Sequence, residues 1–186
     1  MFTKLISNKR NRLIGLSAVA AIFAIVFAVA LFGSRSAETT VMKYMNASLK
    51  PDARAIFKLI PDAITDEVLE YYDFDRDEWH DAIDEFNKVL EKSLDGVRDR
   101  LEDGWTISYE VTDEDDVIGA DLRDIKRDYK SYVEVTAAKD MTVELTISNG
   151  VNEWTSSADI PVIRVGRTWY IDALNMGNVF RTVRIR

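Results

Sequence analysis

Cysteine is missing from this 186-residue chain, and histidine occurs once. Without thiols there is no disulfide framework, no thiolate metal site, no cysteine nucleophile and no lipid-modified cysteine. An exported domain of this size then draws its stability from its core alone. The single histidine, His80, lies off the apolar stripe of its predicted helix. No serine or cysteine nucleophile motif accompanies it, so it reads as a surface side chain. Asp73-x-Asp75-x-Asp77 matches the start of a calcium loop, but the match then fails. Glu78 stands where the sharp turn needs glycine, His80 where the pattern carries an aliphatic residue, and Asp84 where it ends in glutamate. No metal site, no cofactor and no catalytic residue is expected. The acidic run Asp113 to Asp116 reads as a solvated loop between a strand and a helix.

Charge is missing from one long stretch. Leu13 to Phe32 are twenty consecutive residues without a charged side chain. As a helix at about 1.5 Å per residue they span roughly 30 Å, the thickness of a bilayer core. Lys4, Lys9, Arg10 and Arg12 precede them, which places residues 1–12 in the cytoplasm as a basic tail. The expected organisation is a transmembrane helix at 13–32, a hinge at 33–38, one domain at 39–175, and a basic tail or extra strand at 176–186. The protein is then a single-pass cell-membrane protein with its C-terminal domain outside. A cleaved signal peptide is the alternative. Its apolar stretch is shorter, about 7–15 residues, and the small-x-small pattern at Ala28-Val29-Ala30 lies inside the run. Ser34-Arg35-Ser36 fits less well. No G-x-x-x-G pair marks a helix dimer. All 32 acidic residues lie beyond the run with 20 of the 24 basic ones, so the outer part carries −12 against +4 for the tail. Such a domain is repelled by nucleic acid and by anionic lipid, which argues against both as its partners.

Beyond the hinge the apolar spacing is helical first. Thr39 to Leu49 reads as a helix, Pro51 fits the first turn of another carrying Ala55, Ile56, Leu59 and Ile60, and Pro61 ends it. A short helix follows from about Thr65 to Tyr72. Asp75 and Glu78 form a capping box, with Phe74 and Trp79 placed as a hydrophobic staple. Trp79, Ile83, Phe86, Leu90, Leu94, Val97 and Leu101 then recur at spacings of three and four. They predict one long helix ending near Asp103-Gly104, with Gly96 as a weak point.

The period then changes to two. Trp105, Ile107, Tyr109 and Val111 mark one strand, and Ala120 to Tyr132 is charged and helix-compatible. Strand pattern resumes at Val133 to Thr136 and runs through Met141, Val143, Leu145 and Ile147 to a turn at Asn149-Gly150. Glu153 to Val165 and Arg167 to Leu174 predict two more strands joined at Gly166. Pro161 marks a bulge or an edge. The fold class is α+β: an N-terminal transmembrane helix, then helices on a curved antiparallel sheet, with the long helix lying on that sheet.

The stretch "MNASLKPDARAIFKLIP", the long helix before the sheet, and the ending "IPVIRVGRTWYID" from Ile160 to Asp172 together resemble a nuclear-transport-factor-2-like (cystatin-like cone) extracytoplasmic domain. The resemblance covers roughly residues 38–175. It implies a conical cavity between helices and sheet, which in different relatives is an active site, a ligand pocket or simply filled. An anchor followed by such a domain also looks like an assembly subunit of type IV secretion systems.

The cavity candidates on this reading are Tyr109, Tyr170 and Asp172. A carboxylate with tyrosine partners is the arrangement by which ketosteroid isomerase, of this kind of fold, moves protons. No motif maps residue by residue onto that site. Alternation puts Asp172 on the opposite side from Trp169 and Ile171, where it bonds backbone or an arginine. Asn46-Ala47-Ser48 fits a glycosylation acceptor but falls within a helix. Residues 164–186 hold five basic residues and one acidic one, and Arg181, Arg184 and Arg186 are candidates for docking. The leading functional expectation is a membrane-anchored binding or assembly module without catalysis, with the membrane and an envelope protein as partners and its ligand undefined. The alternatives are a small-molecule-binding or enzymatic cone cavity and a secretion-apparatus subunit.

Overall fold

A computed structural model describes residues 36–99, 104–176 and 184–185. The apolar run 13–32, Arg181 and Arg186 lie outside them. Among the described residues no helix is long and apolar enough to cross a membrane.

Four helices come first: α1 (Ala37–Leu49), α2 (Ala53–Phe57), α3 (Asp62–Tyr72) and α4 (Arg76–Arg98). Helix α1 begins two residues before the expected Thr39, because Ser36 caps it by accepting from the backbone of Thr39 at 3.1 Å. Helix α3 begins at Asp62, not Thr65. Pro61 ends one segment and also opens the next, its carbonyl accepting from the Ile64 amide at 2.9 Å. The Asp75 capping box is formed. Its carboxylate accepts from the Glu78 amide at 2.8 Å, and Glu78 reaches back to the Asp75 amide at 3.4 Å. Asp75→Ala therefore costs about 1 kcal/mol, readable as a lower urea midpoint at unchanged slope. His80 is exposed, as expected.

The sheet is antiparallel in the order β1-β2-β3-β4, built from β1 (Thr106–Val117), β2 (Val135–Ser148), β3 (Glu153–Val165) and β4 (Thr168–Ile171). Helix α5 (Gly119–Tyr129) crosses from β1 to β2. A short β5 (Arg184–Ile185) pairs with β3 at Ser156 and Ser157, so Arg184 belongs to an added strand. Pro161 stands on β3 where β4 has just ended, and its carbonyl accepts from Asp172. Its missing N–H points to that same edge, past the last β4 pair Val162–Ile171, and so costs no bond of the β3–β4 ladder.

Two expectations are corrected. The acidic run Asp113–Asp116 is strand, not loop. A bulge at Thr112 shifts the register, after which Glu114, Asp115 and Asp116 pair with Met141, Asp140 and Lys139. Lys139 bonds Glu114 at 2.9 Å and Asp116 at 3.3 Å, which offsets the like charges. The long helix α4 packs principally on α2, not on the sheet. Phe57 meets Trp79 and Phe86 with ring centroids 5.0 and 5.5 Å apart, and Asn87 accepts from the Ala53 amide at 2.9 Å. Helix α1 is the one laid across β1 to β4.

The core lies between α1, α2 and one face of the sheet. Val41, Ile56, Leu59, Phe86, Met141, Val143, Val162 and Ile171 are buried there. Helix α5 covers part of the opposite face, which is the face that carries the candidate site.

Candidate functional site

The site begins with a charged helix. In α5, Asp121, Asp124, Ile125 and Asp128 recur at spacings of three and four and so share one side. That side looks onto the sheet face carrying Asp140 of β2 and its neighbours Asp159 and Pro161 of β3. Between them is a cleft of about 540 Å³. It is lined by Asp116, Asp121, Asp124, Asp128, Asp140, Asp159 and Asp172, with Asn175 and the apolar Val117, Ile118, Ile125 and Pro161. No lysine or arginine is among these lining residues.

The carboxylates differ in their partners. Asp124 and Asp128 share Arg127, at 2.7 and 3.6 Å, and Asp116 has Lys139. Asp159 accepts from the Thr142 hydroxyl at 2.8 Å. Asp121 and Asp140 have no ion-pair partner among the described residues. The carboxyl of Asp140 is pushed above its ordinary value, first by lost hydration at the cleft wall and then by repulsion from Asp159, Asp172, Asp115 and Asp121.

Asp172 forms the floor. It is 0% exposed, although it points away from the core side that Ile171 fills. Alternation assigns its face correctly, but that face is not open, because α5 covers it. Its Oδ1 accepts from the Tyr129 hydroxyl at 2.9 Å and from the Asn175 amide at 3.2 Å. The Asn175 side-chain Nδ2 donates to both oxygens, at 3.0 and 2.8 Å. The Tyr129 hydroxyl in turn accepts from the Leu174 amide at 3.2 Å. No arginine takes part. Burial raises the Asp172 carboxyl, and these hydrogen bonds oppose that rise. Tyr129 is raised for the same first reason, with the Asp172 charge adding to it.

The three cavity candidates do not converge. The Tyr109 hydroxyl donates to the Met42 carbonyl of α1 at 3.1 Å, on the opposite side of the sheet. Tyr170 is half-buried opposite Ile163 and packs against the core. The tyrosine that meets Asp172 is Tyr129, the last residue of α5, within the stretch that the sequence marks only as charged and helix-compatible. Among the described residues no group of three or more His, Asp or Glu side chains is placed to hold a metal ion. The cleft can therefore take a positive charge through separate carboxylates and a short apolar wall. Asp172 and Tyr129 spend their hydrogen-bonding groups on each other, on Asn175 and on the Leu174 amide. No protein-family model, curated protein or solved structure matches this chain.

Proposed function

We propose that this protein is a non-catalytic binding or assembly module of the cell envelope, held at the outer membrane face by the apolar segment 13–32 and recognising a cationic partner through the acidic cleft beside α5. A cone-like fold of the nuclear-transport-factor-2 kind is part of this proposal, supported by helices before a bulged antiparallel sheet. The observation that carries the binding reading is the lining of the cleft. Seven aspartates surround one space, and two of them, Asp121 and Asp140, have neither an ion pair nor a side-chain hydrogen bond among the described residues. Like charges held this close are unfavourable in the unoccupied protein, and a cation relieves them on binding. The scattered placement of the carboxylates favours lysine or arginine side chains of a protein segment over a metal ion, and Ile118 and Ile125 offer apolar surface for their stems. The acidic composition supports the exclusion of nucleic acid.

The test uses the full chain in nanodiscs of neutral lipid, titrated with a lysine-rich peptide and with an acidic peptide of equal length. Saturable binding of the basic peptide alone is expected. It should weaken steeply with salt and weaken again in Asp121→Asn. Equal affinity for both peptides, or affinity indifferent to Asp121→Asn, overturns the reading.

A further inference from the structure

The two ends of the sheet differ in chemistry, and the chain enters the fold at one of them. Ser36 caps α1, and one turn later the Thr40 hydroxyl donates to the Trp169 carbonyl at 3.1 Å. Trp169 lies on β4, two residues after Arg167 in the turn that joins β3 to β4. Gly166 makes that turn with φ at +60°. The apolar segment ends at Phe32, only four residue steps before Ser36. Four steps span at most about 14 Å of fully extended chain. A domain tethered this tightly has little room to turn its entry end away from the lipid.

That end carries charge of both signs: β1 finishes there after Asp113–Asp116, and Lys139 is paired with Glu114 and Asp116. The Arg164 guanidinium lies 5.8 Å and the Lys139 ammonium 6.0 Å from the Trp169 ring centroid. Arg167 is exposed and has no acidic partner among the described residues. Arg164 and Arg167 form no ion pair among the described residues, and with the half-buried Trp169 they supply the side-chain types of a membrane–water interface. The net negative charge of the whole domain does not decide the matter. Beyond about 8 Å charges are screened at physiological salt, so the local turn governs contact with the headgroups.

We propose that the β3–β4 turn end rests on the bilayer surface, with the exposed Arg167 at the headgroup level and the half-buried Trp169 behind it. The inference rests on the anchor reading given above. Glu38, Glu134 and the acidic end of β1, near the same end, make the contact weak by itself. The tether supplies the local concentration that makes a weak contact sufficient. The opposite end is then held outward. There Trp105 and Trp154 stack with centroids 4.6 Å apart, Trp154 is 52% exposed and Val151 is 89% exposed. Ten residue steps along β3 take Trp154 to Arg164, about 33 Å along the strand.

The absence of native cysteine makes the test direct. Full-length Val151→Cys and Arg167→Cys are each labelled with one fluorophore, reconstituted in vesicles, and quenched with lipids carrying a headgroup nitroxide. The label at 167 should be quenched at least threefold more than the label at 151. Equal quenching, or stronger quenching at 151, overturns the proposal. So does a label at 167 that is shielded from lipid by a co-purifying protein. Carbonate washing of the same vesicles separates the two levels. Chain released by carbonate removes the anchor reading and this proposal with it, whereas chain retained with equal quenching removes this proposal alone.

Discussion

Asp172→Ala should destabilise the domain by about 3 kcal/mol, the largest single effect outside the apolar core. The alanine removes the acceptor for three donors: the buried Tyr129 hydroxyl, and the part-buried Asn175 amide and Asn175 Nδ2. Each buried donor left unpaired costs about 1–3 kcal/mol, and partial relaxation keeps the sum near the lower bound. Asp172→Asn should cost less. It keeps an oxygen for Tyr129, loses only the contact in which two amide groups would face each other, and relieves the burial that penalises the charged carboxylate. Tyr129→Phe should fall between neutral and the alanine value, since it orphans the Leu174 amide as well as one lone pair of Asp172. Urea unfolding of the three variants checks the order. A loss in Asp172→Ala no larger than in Asp172→Asn would mean that the network holds nothing in place. The network has a clear mechanical role. It fastens the turn after β4 to α5, and so fixes the helix that forms one wall of the cleft.

Much of this architecture is readable in the residues where one period runs undisturbed. The stripe from Trp79 to Leu90 turned out to be the packed face of α4, and the Asp75–Glu78 box opens it at the expected residue. The sequence reading fails where the period breaks. Thr112 is an extra residue in β1, so the alternation changes phase just before four acidic side chains, and the pattern dissolves into what looks like a loop. Pro61 carries two meanings at once, a stop and a start, and only the first is visible in a one-way scan. The site is harder still, because its members are brought together by packing. Tyr129 and Asp172 are 43 residues apart, and no local pattern links them. A signal for the cleft does exist in the spacing of Asp121, Asp124 and Asp128 on one side of α5. Asp140 and Asp159 are a second signal, as acidic residues inside β2 and β3 directly before the buried Met141 and Ile160. Neither reads as a site until the register sets Asp159 opposite Thr142 and Pro161 opposite Asp140.

Asp140→Lys should sharply weaken recognition of the basic peptide while leaving the fold intact or firmer. The substitution deletes one negative charge from the cleft and adds one positive charge. At surface dielectric each such change is worth about 1 kcal/mol to a cation held nearby, so the two together weaken binding by roughly 30-fold. Stability moves the other way. In the wild type the Asp140 carboxyl lies above its ordinary range because ionised neighbours and lost hydration disfavour its charge. A carboxyl raised in the folded state binds its proton more tightly there than in the unfolded chain. Its contribution to stability therefore grows as pH falls through its folded pKa, and is complete once the pH is below the ordinary carboxylate value of about 4. At neutral pH that ionised group is a cost, below about 1 kcal/mol because it faces solvent. Asp140→Lys removes the cost, so its melting temperature should exceed the wild type's at pH 7, and the gap should close as the pH is lowered toward 4. Melting curves across that range, paired with peptide titrations at pH 7, measure both arms. Weakened binding with a lowered melting temperature would point to a damaged fold. Unchanged binding with a raised melting temperature would show that the strained carboxylates serve something other than a cation.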